Sequence, residues 1–198
     1  MVGRNKEQKH NSRYKRNHDL LIASIRKHTK TYRARITVNQ VVEDVGMARS
    51  SFYNHYPDVN SAIEASDAVL VKRFARFLEK PPLVYKKPSQ NPNRYYYELT
   101  FLYMGRNKVI FRRVCDDINN QSLLYKMVET VYPRLQITWP TDNGRLPAIG
   151  SERVDMFLRM VVEVISRWGK ETRCEYEAAT PYINRLSVIT AEAGMRCR

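Results

Sequence analysis

Apolar residues recur along most of the chain at the three- and four-residue spacing of one helical face. Four valines follow this spacing near the N-terminus: Val38, Val41, Val42 and Val45. Farther along, similar stripes predict helices over 94–104, 106–116, 120–138, 151–170 and 174–193. Nothing in the sequence alternates in the manner of a strand, so the pattern predicts an all-α protein.

The first 80 residues contain clear signals for where helices begin and end. An apolar side around Leu21 and Ile25 predicts a first helix from about residue 17, ending in the basic run 28–35. Thr37 to Gln40 reads as a capping box that opens a second helix. Gly46 is suited to end it, because glycine adopts the left-handed conformation that often follows a helix.

A short third helix is predicted after the turn of residues 46–48. It covers residues 49–56, and Phe52 and Tyr56 lie four positions apart as its apolar anchor. Pro57 ends it, and Asp58 is a fitting N-cap for a fourth helix that runs to about Lys80.

Prolines and composition divide the chain into segments. Residues 1–16 are rich in Lys and Arg with almost no apolar side chain, which predicts a flexible arm. Residues 17–80 form a predicted N-terminal domain, and the proline-rich stretch 81–93 is a predicted connector. A helical C-terminal domain is expected over 94–198, with a long loop at 140–150.

The charge is strongly positive and unevenly spread. The chain carries 34 Lys and Arg against 20 Asp and Glu, a formal net charge of +14. Residues 1–55 hold twelve basic and four acidic side chains, so more than half of the excess lies in about a quarter of the chain. A polyanion is the partner that such an excess suits, and both nucleic acid and an anionic membrane qualify.

Other composition features narrow the class of protein. No apolar run approaches the roughly 20 residues of a membrane-spanning helix, and the first residues have no signal-peptide core. The cysteines are Cys115, Cys174 and Cys197, an odd number without close pairing. This spacing argues against a disulfide framework and a thiolate zinc site, so we expect a cytoplasmic protein without a metal or other cofactor.

Two short helices joined by a tight turn, the second of them polar apart from its anchor, are typical of a DNA-reading helix-turn-helix. The run from Ile36 to Pro57 closely resembles the TetR/AcrR family of bacterial repressors over residues 16–65. The matching positions are Thr37, Gly46, Tyr53, His55, Tyr56 and Asp58. The chain departs from the family pattern at Tyr32, Ala48 and Val59.

The resemblance implies a dimeric, ligand-responsive transcriptional repressor on a palindromic double-stranded DNA operator. Phosphate contacts are expected from Thr37, Tyr53 and His55. Base contacts are expected from the side chains left exposed opposite the anchor, Arg49, Ser50, Ser51 and Asn54. Taken singly, each has an ordinary alternative: a surface histidine, a core tyrosine or an exposed ion pair. The basic arm has two interpretations, a DNA-backbone contact or a solvated tail.

The C-terminal helices inherit two further roles from the resemblance. A small-molecule effector cavity is expected among the aromatic-rich middle helices, at Tyr97, Phe101, Met104, Phe111 and Tyr125. A homodimer interface is expected on two apolar stripes, Phe157, Val161, Val164, Ile165, Trp168, Ile183, Leu186 and Ile189. Packing in the interior of a single chain is the alternative for both sets.

Two other classes of function fit the sequence less well than a regulator. An enzyme needs a nucleophile with its base, paired carboxylates, a phosphate loop or metal ligands, and none of these patterns occurs in the sequence. All four histidines lie within the first 55 residues. A basic membrane-surface or non-specific nucleic-acid adaptor is the alternative reading, but the first helix has only a short apolar stripe.

Overall fold

The computed structural model describes residues 3–31, 36–80, 91–116, 121–137 and 147–195, and these form an all-α protein without strands. The helices are α1 (Gly3–Thr31), α2 (Val38–Val45), α3 (Arg49–Tyr53), α4 (Val59–Glu79), α5 (Pro92–Arg106), α6 (Lys108–Asp116), α7 (Ser122–Val131), α8 (Glu152–Thr172) and α9 (Thr180–Met195). Two 3-10 turns, Tyr132–Arg134 and Tyr176–Ala178, follow α7 and precede α9. Most of the predicted connector 81–93 and of the predicted loop 140–150 lies outside the described residues.

The contacts divide the chain into two compact units, Met1–Leu70 and Val71–Arg198. The division falls inside α4, whereas the sequence placed it in the proline-rich connector after residue 80. Length explains the difference, because a 21-residue helix spans about 30 Å and one such helix can serve two cores.

The N-terminal unit is organised around one apolar cluster. Its buried members come from the first four helices and the turn before α4: Leu21, Ile22, Ile25, Val41, Val42, Phe52, Tyr56 and Ala62. Val38 and Val45 pack against this cluster from α2, which confirms that the valine stripe faces inward. The short α3 is therefore held by burial of its anchor rather than by its own length.

The structure corrects the prediction of a flexible arm over residues 1–16. Residues 3–16 are helical, and α1 runs without a break from Gly3 to Thr31. Because these residues contain no proline and are mostly good helix formers, they extend a helix that the buried Leu21 and Ile25 already anchor.

In the C-terminal unit α8 is the central element, and it packs against α6, α7 and α9. Ten of its 21 residues are buried. Trp168 is fully buried, and its ring meets Phe101 of α5 edge-to-face with centroids 4.7 Å apart. The Trp168 indole N–H donates to the Glu175 carbonyl oxygen at 3.1 Å, so this large side chain is both packed and satisfied.

Three further predicted helices have different bounds in the structure. The helix expected over 49–56 ends at Tyr53. The helix expected over 120–138 ends at Val131, because Pro133 follows in a 3-10 turn. The helix expected from 174 begins at Thr180. Arg173 and Cys174 take left-handed backbone angles, φ 54° and 59°, and these end α8 and redirect the chain.

Candidate nucleic-acid interface

The start of α2 is fixed by the predicted capping box. The Gln40 backbone N–H donates to the Thr37 hydroxyl oxygen at 3.3 Å, and the Thr37 backbone N–H donates to Gln40 Oε1 at 2.9 Å. Both bonds satisfy amide groups that a helix start leaves without partners. Because the Thr37 hydroxyl also donates to Gln40 Oε1 at 3.1 Å, its hydrogen is already engaged within the chain.

The turn between α2 and α3 depends on Gly46. Its φ is +65°, and no described atom lies within 4 Å of where a Cβ would stand. The constraint is therefore backbone conformation and not crowding. Met47 N–H donates to the Val42 carbonyl at 2.9 Å and closes the turn. Ala48 then precedes α3 in an extended conformation with no side-chain cap, as expected where the family pattern has a serine.

Burial of two aromatic rings sets the orientation of α3. Phe52 is fully buried and Tyr56 nearly so. The exposed residues of α3 and its following turn include those predicted to contact DNA, Arg49, Ser50, Tyr53 and Asn54, with Ser51 half-buried among them. Tyr53 is 49% exposed, which excludes the core-aromatic alternative for this residue. The structure thus brings five predicted residues onto one short surface.

His55 lies apart from that exposed surface. Its half-buried ring stacks on Tyr14 of α1, with centroids 4.1 Å apart and planes tilted by 32°. Burial, and secondarily the nearby His18, lower the pKa of His55. Its Nδ1 is buried without a hydrogen-bond partner among the described residues. His55 therefore packs α3 against α1 at least as much as it faces solvent, and its phosphate contact stays a prediction.

A second aromatic contact ties the end of α3 to α1. The Tyr56 hydroxyl hydrogen-bonds His18 Nδ1 at 2.9 Å. Burial raises the pKa of Tyr56 to about 12, so this hydroxyl keeps its proton at neutral pH. Buried tyrosine needs such a partner for its polar tip. The bond fixes the turn after α3, and with it the position of the neighbouring Asn54.

An ion pair joins α1 to α2 on another side of the unit. Lys27 of α1 contacts the Asp44 carboxylate of α2. The Lys27 hydrogen bond lowers the pKa of Asp44. The Ser24 hydroxyl donates to the Val41 carbonyl at 3.4 Å in the interior. The helix that carries the turn is therefore held by α1 through polar and apolar contacts together.

Sequence reasoning missed the position of the basic side chains of α1. Arg13, Lys15 and Arg16 are exposed on α1, and Arg13 and Arg16 line a hollow beside Ala48 and Ser51. Their sequence signal was the charge of residues 1–16. Helix continuity, which could have been read from the absence of proline, was the missing step.

The departure from the family pattern at Val59 has a packing role in the structure. Val59 is half-buried and packs against the core of the N-terminal unit. A lysine there would place its charge toward solvent, whereas valine contributes only apolar contact. Tyr32, another departure, lies outside the described residues.

The residues predicted for an effector cavity lie in the C-terminal core. Tyr97, Phe101, Met104 and Phe111 are almost fully buried, while Tyr125 is half-buried. The Tyr97 hydroxyl hydrogen-bonds Thr190, and burial raises its pKa. These contacts agree with the alternative of core packing, and effector binding by these residues stays a prediction.

The structure corrects the predicted dimer interface. Seven of the eight are buried within the single chain, at 5% exposure or less: Phe157, Val161, Val164, Ile165, Trp168, Ile183 and Leu186. Only Ile189 keeps part of its surface. A side chain with no remaining surface gains nothing from a partner, so these stripes form intramolecular core.

Two findings concern other kinds of site. Within the described residues, no group of three or more His, Cys, Asp or Glu is placed to hold a metal ion. In the same residues no helix combines the length and apolar character needed to cross a bilayer.

Comparison of the chain with protein-family models, curated proteins and solved structures finds no match.

Proposed function

We propose that this protein is a sequence-specific, double-stranded DNA-binding transcriptional regulator of the TetR/AcrR type, with α2, the Gly46 turn and α3 as its helix-turn-helix. One observation carries the proposal. The α3 segment buries Phe52 and Tyr56 and presents a contiguous polar surface that includes Arg49 and Asn54. Arginine and asparagine make the strongest bidentate pairs with guanine and adenine in the major groove.

The division of labour on that surface follows from chemistry. Arg49, Ser50, Ser51 and Asn54 are the proposed base readers, because they lie on the exposed side of α3 and its turn. Tyr53 is the proposed phosphate contact, since an exposed hydroxyl at the edge of the helix can donate to a backbone oxygen. The excess positive charge of residues 1–55 supplies the sequence-independent attraction.

The experiment is selection of duplexes from a random library by the full-length chain, followed by titration of the selected site and a scrambled duplex. Arg49→Ala is expected to cost about 1–3 kcal/mol on the selected site and to relax the choice at one base position. Arg73→Ala is the matched control, because Arg73 is also an exposed helical arginine but belongs to α4 and not to the helix-turn-helix. Equal weakening of selected and scrambled duplexes by Arg49→Ala would contradict base reading.

The same titration separates a regulator from a general polyanion binder. A basic surface without base readers would retain every duplex equally and would also sediment with anionic vesicles at matched salt. A regulator is expected to prefer its selected site by about a thousandfold or more.

The proposal includes a homodimer, but its interface uses exposed residues of the last helices instead of the buried stripes. The exposed large apolar side chains of the last helices are Met156 and Met160 on α8, at 60% and 44% exposure, and Val188 on α9, at 55%. Arg159 and Glu163 are exposed beside them. Opposite charges on one face are complementary to a second copy turned by a two-fold axis.

Light scattering tests the dimer on this proposed face. Met160→Glu is expected to shift the chain toward monomer without loss of helicity. Leu186→Glu is expected to unfold the C-terminal unit instead, because Leu186 is fully buried in the single chain. A wild-type monomer at micromolar concentration would remove the dimer from the proposal and leave the DNA surface untouched.

A further inference from the structure

A hollow lies in the N-terminal unit between α1 and the turn that leads into α3. Its volume is about 460 Å³, and its lining includes Arg13, Arg16 and Leu20 from α1 and Met47, Ala48 and Ser51 from the turn and α3. All of these residues belong to the same compact unit. The hollow therefore sits directly beside the exposed surface of α3.

The lining has two chemical sides. Arg13 and Arg16 are three positions apart, so their side chains lie on the same face of α1, and both are exposed. Guanidinium groups present a planar fork that matches phosphate oxygens. Leu20, Met47 and Ala48 make the other side apolar. An anionic group joined to an apolar ring fits such a hollow better than an isolated anion does.

We propose that this hollow holds one sugar–phosphate unit of the DNA backbone, with Arg13 and Arg16 on the phosphate and the apolar side against the deoxyribose. The inference rests on the proposed function, since it uses the same DNA and adds a second element to the contact. In this arrangement α1 acts as a rigid helix that clamps the backbone while α3 lies in the groove. A clamp fixes the register of α3 on the duplex but reads no base.

A clamp differs from diffuse charge because the contribution of each basic side chain to DNA affinity depends on its position on α1. Lys15 supplies the control, because it is exposed on the same turn of α1 as Arg13 and Arg16 but does not line this hollow; it lines a neighbouring one, which Arg16 and Leu20 also line. Its substitution removes the same unit of charge from the same helix. Arg16→Lys is the second control, since it keeps the charge and loses the planar fork.

The experiment is titration of two fluorescent 30-base-pair duplexes, the selected site and a scrambled one, with full-length wild type, Arg13→Ala, Arg16→Ala, Arg16→Lys and Lys15→Ala over a range of salt. Circular dichroism and thermal melting show that each variant is folded. Arg13→Ala and Arg16→Ala are each expected to flatten the slope of log affinity against log salt by about 0.9 and to weaken both duplexes by the same factor. Arg16→Lys is expected to keep the slope with lower affinity, and Lys15→Ala to leave the affinity near wild type.

Two results would overturn the clamp. Slopes of Arg13→Ala and Arg16→Ala equal to wild type would show that no phosphate is held there. Equal effects of Lys15→Ala and Arg16→Ala would show that α1 contributes only general charge. A further arm replaces part of the chloride with inorganic phosphate at constant ionic strength, and strong competition at millimolar phosphate would show a free-anion site instead of a backbone clamp.

Failure of the clamp is distinguishable from failure of the proposed function. Wild type that binds selected and scrambled duplexes equally refutes sequence-specific regulation, yet the salt slopes of the arginine variants still report on the hollow. Wild type that prefers its selected site while the arginine variants match it refutes the clamp alone.

Discussion

Replacing Gly169 by alanine is expected to destabilise the C-terminal unit. Gly169 lies on α8 where it packs against α6. A Cβ there would stand 2.6 Å from Cys115 Cβ and 3.3 Å from Cys174 Sγ, and closer still to Cys115 Sγ. Real Cβ atoms essentially never approach another carbon at the first of these distances. Rotation of the Cys115 thiol cannot relieve the contact, because the Cβ position is set by the backbone, so one helix has to move.

The magnitude is a balance of two effects. Overpacking a well-packed core costs about 1–3 kcal/mol, and a clash with a backbone-fixed atom belongs at the upper end of that range. Alanine regains about 1 kcal/mol over glycine in a helix interior. A net loss of about 2 kcal/mol is expected, which corresponds to a melting temperature about 4–8 °C lower for a chain of this size. Thermal and urea unfolding followed by circular dichroism measure it.

Gly105 of α5 is the matched control, since it is also a helical glycine. A Cβ at Gly105 would lie 3.1 Å from Tyr176 Cβ and 3.5 Å from the Cys174 carbonyl oxygen, which small shifts can accommodate. Gly105→Ala is expected to change stability by less than about 1 kcal/mol. Adding Cys115→Gly to Gly169→Ala removes both close contacts and is expected to recover part of the loss. A Gly169→Ala chain more stable than wild type would refute the packing of α6 on α8 described above.

Three smaller perturbations test other contacts. Thr37→Ala removes the N-cap of α2 and is expected to cost about 1 kcal/mol, read as faster hydrogen exchange in α2 with α5–α9 unchanged. Tyr97→Phe removes a buried hydroxyl that hydrogen-bonds Thr190, which still donates to the Leu186 carbonyl at 2.7 Å, and is expected to cost about 1 kcal/mol in urea unfolding. The Lys108 hydrogen bond lowers the pKa of Glu175 below its usual 4.5, so its stabilisation is present above that pH and is lost as pH falls through the lowered pKa. Glu175→Gln should therefore flatten the decline of melting temperature below about pH 5, and an unchanged decline would contradict it.

Local chemistry was predictable from sequence wherever one residue type satisfies one geometric need. Thr37 and Gln40 form the predicted capping box, Gly46 adopts the left-handed conformation that ends α2, and Asp58 accepts the Ser61 N–H at 2.7 Å at the start of α4. The anchor Phe52 is buried as predicted. Each of these rests on neighbours within four residues, so no knowledge of the tertiary fold was needed.

Tertiary partners were not predictable in the same way. The stripes of α8 and α9 were assigned to a dimer, yet the single chain buries Phe157, Trp168 and Leu186. An apolar stripe predicts that one face of a helix is buried, but it does not identify the element or partner that covers that face. The residues still available to a partner lie on another face of α8, where Met156 and Met160 are exposed in the single chain. These two residues could be recognised as candidates for a dimer surface only from the structure, which places the other face of α8 in the interior.

The N-terminal residues show how a composition argument fails when a neighbouring element supplies the missing energy. Residues 3–16 have almost no apolar side chain, so in isolation the cost of ordering them favours an irregular arm. They are joined to a helix that Leu21 and Ile25 already hold in the core, and extending an existing helix adds one hydrogen bond for each residue fixed without a new nucleation step. Lys, Arg, Glu and Gln are good helix formers, which makes that extension favourable. A charge on a helix has a fixed position, whereas a charge on a flexible arm is averaged over many positions. The Arg16→Ala and Lys15→Ala variants are therefore expected to differ in DNA affinity only if the helix holds these side chains in fixed places.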